Sequence, residues 1–140
     1  MSVRGQLSAG PAETGRGGTS AERPAGRILI VEDDVLIRAA AAQYLRGAGF
    51  EILEAISVDQ ALELLRAGPI QVVFTDVKLP GAQSGLDLMR IVQSEFPRTK
   101  VLLTSGVVKA GEVTLANITL LRKPYFLFEV ERHVRALLSE

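Results

Sequence analysis

A chain of 140 residues with 47% apolar but only 5% aromatic content has room for one domain, whose core must be Val, Ile, Leu and Ala. Sixteen basic residues balance sixteen acidic ones, so no global field attracts nucleic acid or anionic lipid, and aromatic rings are too few for a base-stacking surface. The lack of cysteine excludes disulfides and thiolate metal sites, and no apolar run approaches the roughly 18 residues that span a bilayer. A soluble, cytoplasmic protein is expected.

Residues 1–26 are rich in Gly, Ala, Ser, Pro and Arg, with no hydrophobic period and no signal-peptide core. Such a segment cannot bury enough apolar surface to offset its chain entropy, which predicts a disordered tail ahead of a domain over 27–140.

The first strand is expected at "RILIV" (27–31). Asp34 is placed to cap the helix that follows, in which Leu36, Ala40 and Tyr44 recur at i+4 with Ile37, Ala41 and Leu45 beside them. Gly47 and Gly49 close it. "EILEA" (51–55) is a more polar strand, suited to a sheet edge. Ser57 then opens a helix with the stripe Val58, Ala61, Leu62 and Leu65, and Gly68–Pro69 ends it. "QVVFT" (71–75) is the third strand, and Met89, Val92 and Phe96 mark the next helix. After "KVLLT" (100–104), residues 107–117 carry only a faint helical pattern, so a shortened or irregular fourth helix is expected. "ITLL" (118–121) is the last strand, and Val130, Val134 and Leu138 mark the last helix. Continuous apolar strands fit a parallel sheet covered on both faces. The expected fold is α/β: a doubly wound, five-stranded parallel sheet.

In such sheets ligands bind beyond the carboxyl ends of the strands, near the switch in strand order. Strand one ends in Glu32 and Asp33, strand three in Asp76, strand four in Thr104 and Ser105, strand five in Lys123. Singly these residues have ordinary explanations as caps, turns or solvated charges. Together they make a chemically complete set. Glu32, Asp33 and Asp76 held close would repel until one protonates or a cation binds, and oxygen ligands without His or Cys favour Mg²⁺. Lys123 offers a point charge to a phosphoryl oxygen, Thr104 a hydroxyl, and Asp76 a nucleophile that can become an acyl phosphate. That is the composition of a phosphoaspartate site.

Over residues 27–138 the chain resembles the receiver domain of two-component response regulators, through "ILIVEDD", "VVFTDVKLPG", "LLTSG" and "RKPY" in that order on strand ends. The resemblance implies a flavodoxin-like (βα)5 fold with Asp76 as phosphoacceptor. It also implies Mg²⁺ on Asp33, Asp76 and the Lys78 main-chain carbonyl, with Glu32 acting mainly through metal-bound water. Thr104 and Lys123 would sense the phosphoryl group, and the peptide before Pro124 would be cis. The expected partners are a sensor histidine kinase or histidine phosphotransfer protein and an unknown downstream protein, with a homodimer possible.

Three features depart from the family. Leu120 stands where an aromatic ring is usual, the stretch from Thr104 to Lys123 is short, and "PGAQSGL" carries about one extra residue between Asp76 and Gly85. Seventeen residues follow Lys123, which leads to the expectation of a stand-alone receiver without a DNA-binding domain and with no activity on a separate substrate. The rival readings are a receiver-like scaffold that never takes phosphate and a receiver cut from a larger regulator. A Mg²⁺ phosphohydrolase is opposed by Lys78, which stands where such enzymes place a second Asp. An FMN carrier is opposed by the acids after strand one. His133 has no partner ligand at metal spacing and reads as a surface or packing residue.

Overall fold

The computed structural model describes residues 23–106 and 117–140. The apolar runs form β1 (Arg27–Val31), β2 (Glu51–Ala55), β3 (Val72–Asp76), β4 (Lys100–Ser105) and β5 (Ile118–Arg122). All pair in parallel in one sheet of order β2-β1-β3-β4-β5. Ile28 stands opposite Ile52 on one side and Val72 on the other, so β1 and β3 are neighbours while β2 lies at an edge. The polar "EILEA" strand is therefore at the edge its composition called for.

Side chains alternate across a strand, so a run that is apolar throughout must be buried on both faces. Leu29, Val31, Val73, Val101 and Leu103 point to one face, where α2 (Val58–Ala67) and α3 (Gly85–Glu95) cover them with Ala61, Leu65, Leu88 and Val92. Ile28, Ile30, Val72, Phe74 and Leu102 point to the other, under α1 (Val35–Gly47) and α4 (Leu127–Leu138). Among the described residues two helices cover each face, as in a doubly wound sheet. Among the described residues, no helix is long and apolar enough to cross a membrane.

Local chemistry sets the helix starts. The Asp34 carboxylate accepts from the amides of Leu36 and Ile37, and the Ser57 hydroxyl accepts from Gln60. α3 begins in a capping box in which Ser84 and Asp87 satisfy each other's amides. Glu129 reaches back to the Phe126 amide at the start of α4. The chain leaves α1 through Gly49 at φ +102°, a conformation that favours glycine.

Two helical faces differ from those the periodicity predicts. In α1, Ala41 and Leu45 of the second expected row are buried, joined by Ala42, whereas Ile37 is 45% exposed, Leu36 is 77% exposed and Ala40 and Tyr44 also face outward. The first turns of α1 are apolar nearly all round, so spacing alone does not select a face; the two adjacent alanines let the helix lie close on the sheet. In α4, Leu137 rather than Leu138 joins Val130 and Val134 in the core, completing i, i+4, i+7.

The backbone is engaged ahead of β1: Ala25 donates to the Gly49 carbonyl, and Glu51 donates to that of Gly26. Of the tail expected over 1–26, residues 1–22 lie outside the described residues, as do residues 107–116, where a shortened or irregular helix was expected.

Candidate functional site

Chain entry and exit decide where the polar residues meet. β1 is followed outward by β2, and the chain then crosses back to β3 on the far side of β1, so the switch in strand order lies between β1 and β3. Glu32 leaves the end of β1 and Asp76 ends β3 beside it. Thr104 is paired in register with Asp76 on the next strand, and Lys123 follows β5, its amide donating to the Ser105 carbonyl.

The Asp76 carboxylate is the centre of this rim, its side chain 11% exposed. Lys123 Nζ donates to Asp76 Oδ2 at 2.5 Å, and the Lys78 amide donates to Oδ1 at 3.2 Å. Thr104 is buried below. Glu32 is also buried, and this burial pushes its carboxyl up from the usual range; the Asp34 amide opposes the shift, while Asp76 and Asp33 add to it and Lys123 subtracts. A shift caused by lost water and like charge is the one a bound cation relieves.

The structure thus gathers Glu32, Asp76, Thr104 and Lys123 on one rim. Asp33 lies exposed beside Glu32, and Lys78 approaches Asp76 through its main chain while its side chain faces solvent. Among the described residues no three His, Cys, Asp or Glu are arranged to hold a metal ion; Lys123 takes a place on the Asp76 carboxylate instead. The donor set still fits Mg²⁺, which needs only one or two carboxylates with waters and phosphate oxygens completing its shell. Glu32, Asp33, Asp76 and the Lys78 carbonyl are the atoms that would hold it. The Lys123–Pro124 peptide is cis.

Three residues that the sequence reading gave no role in the site support it. Gly85 packs against the strand end that carries Asp76: a Cβ built there would lie 2.1 Å from the Asp76 carbonyl oxygen, and the Gly85 amide donates to Val77 at 2.7 Å. Arg38 holds the Glu32 carbonyl at 2.9 Å and the Glu54 carboxylate at 3.1 Å, which fixes the β1 exit against β2. Tyr125 lines, with Glu32, Asp76, Thr104 and Phe74, a cavity of about 10 Å³ beneath the rim. The signal for Gly85 was its place in "GL" and that for Tyr125 its place in "RKPY"; Arg38 gave none beyond its proximity to a motif.

Comparison with known proteins agrees with this fold. The profile of the response regulator receiver domain matches residues 28–119. A putative NtrX-like response regulator of Rickettsia felis is 34% identical over 80 residues, which is 56% of this chain and 17% of that protein. The chain spans between about a tenth and a fifth of the length of the curated relatives it matches. The receiver domain of the hybrid histidine kinase CckA superposes with a TM-score of 0.70 at 31% identity, covering 81% of this chain and 99% of that one. A receiver protein of Sinorhizobium medicae, at 24% identity and a TM-score of 0.75 over 86% and 98% of the two chains, shares the flavodoxin-like fold.

Proposed function

The chain belongs to the response regulator receiver domain family, and from that premise we propose that it takes a phosphoryl group on Asp76 and uses it to change protein contacts in two-component signalling. The observation that carries the proposal is the Lys123–Asp76 pair on a rim shared with buried Thr104 and an electrostatically strained Glu32. In the reaction an Asp76 carboxylate oxygen bonds to phosphorus as the donor's bond to phosphorus breaks, and the donor leaves with the electron pair. Hydrolysis returns the carboxylate and inorganic phosphate. A bound Mg²⁺ would neutralise charge on the phosphoryl oxygens. The chain's own residues do the rest: Lys123 moves its charge from the carboxylate to a phosphoryl oxygen, and Thr104 donates from below.

The donor fits a protein that presents a phosphohistidine, namely a histidine kinase or a histidine phosphotransfer protein. Support comes from the exposed Val35, Leu36 and Ile37 on the first turn of α1, next to the acid rim, where a protein surface can dock. The reading concerns the receiver itself and holds whether it acts alone or joined to an output domain. No conversion of a separate substrate is part of it.

Incubation of the full chain with acetyl phosphate and Mg²⁺, followed by intact-mass measurement, tests the proposal. Wild type gains one phosphoryl group and Asp76→Asn gains none. A wild type that binds Mg²⁺ yet never gains the group would show a scaffold that has kept the acids without the chemistry.

A further inference from the structure

Lys123 and Tyr125 bracket one proline at the exit of β5, and both line the groove beside α1. Lys123 is bound to Asp76. Tyr125 sets its ring edge-on to Phe74 of β3, with centroids 6.1 Å apart and planes at 70°. On its inner side the ring lines the small cavity shared with Glu32, Asp76 and Thr104. On its outer side it lines, with Ile37, Ala40, Lys123, Pro124 and Leu127, an open groove of about 530 Å³ between α1 and the start of α4. Burial raises the phenol above its ordinary pKa, and the charges of Glu32 and Asp76 add to the effect. Among the described residues nothing hydrogen-bonds its hydroxyl.

We propose that Tyr125 is a positioning residue that couples occupancy of the acid rim to the shape of the α1–α4 groove. The inference rests on the phosphoacceptor reading and adds its route to the surface. When phosphate is added to Asp76, the Lys123 ammonium follows the new charge outward. Pro124 has a fixed φ and no amide hydrogen, so it takes up little of that displacement. The motion reaches Tyr125, whose ring, together with Ile37, lines both cavity and groove. A shifted ring changes the surface offered by Ile37, Ala40 and Leu127.

The chain has two tyrosines and no tryptophan, which makes the ring its own reporter. Tyr44, the other one, donates to Glu131 across the outer surface of α1 and α4. In full-length Tyr44→Phe protein, ultraviolet emission then reads Tyr125 alone. With Mg²⁺ and acetyl phosphate, the emission should change in proportion to the phosphorylated fraction followed by intact mass. The same addition to Tyr44→Phe/Asp76→Asn should change nothing. In wild type, amide exchange over residues 37–41 should shift on phosphorylation, and in Tyr125→Leu that shift should be lost while the mass gain persists. A mass gain with unaltered emission, or an exchange shift that survives in Tyr125→Leu, overturns the coupling alone. No mass gain in any form overturns the phosphoacceptor reading and the coupling with it.

Discussion

Asp76 is placed by a residue that carries no side chain. Gly85 does not occupy the left-handed region, so nothing in its local backbone calls for glycine; the requirement comes from the Asp76 carbonyl against which it packs. Nine positions separate the two residues in the chain, which is why the spacing of "GL" could be noted but not its cause. Gly85→Ala must push the start of α3 off the end of β3. Overpacking of this kind costs about 1–3 kcal/mol. It should lower the urea midpoint and also slow phosphoryl gain from acetyl phosphate, because the nucleophile moves with its carbonyl. An Ala variant with wild-type midpoint and wild-type rate would show that the contact relaxes freely. Glu32, Asp76, Thr104 and Lys123 belong to the opposite case. Their types and strand-end positions were legible, and their convergence followed once the strands were recognised as parallel.

Helices divide in the same way between local signals and packing. The caps at Asp34 and Ser57 are side-chain-to-backbone bonds over two or three residues, and the sequence displays both partners. The Ser84–Asp87 box is equally local, and it anchors the helix that Gly85 opens. Ser84→Ala should cost about 1 kcal/mol in urea unfolding. Donation from the Ser84 amide, helped by the Ser84 hydroxyl and Arg90, holds the Asp87 carboxyl below its ordinary pKa, against a smaller opposing effect of desolvation. A lowered folded-state pKa means that this stabilisation is present above the ordinary Asp range and is lost as pH falls through the lowered value. Asp87→Asn should therefore lose less stability than wild type on acidification below about pH 4. Parallel losses in urea titrations across that range would count against the box. Which face of α1 is buried was not legible, because apolar residues surround its first turns. Only contact with β1 and β2 selects Ala41, Ala42 and Leu45 over Leu36, Ala40 and Tyr44.

At the scale of the whole molecule the acid rim is an unfavourable arrangement that ligands can relieve. Glu32 is buried beside Asp33 and Asp76, with Lys123 as the nearby compensating charge. If the rim takes up Mg²⁺ as proposed, and the unfolded chain does not, the ion would stabilise the fold by mass action, about 2.7 kcal/mol at one hundred times its Kd. Thermal unfolding should shift upward with MgCl₂ in wild type and much less in Asp33→Asn, whereas matched NaCl should have little effect. Equal shifts in both proteins would place the cation elsewhere.

The order of residues by itself determined the α/β class, the five strands, the polar edge at β2 and the chemistry gathered at the strand ends. Those properties come from periodicity and residue type, which act locally. The switch point between β1 and β3, the α1 face, the glycine under Asp76 and the position of Tyr125 between cavity and groove depended on tertiary structure. Each of them is a contact between segments far apart in the chain, and its energy exists only once the sheet has brought them together.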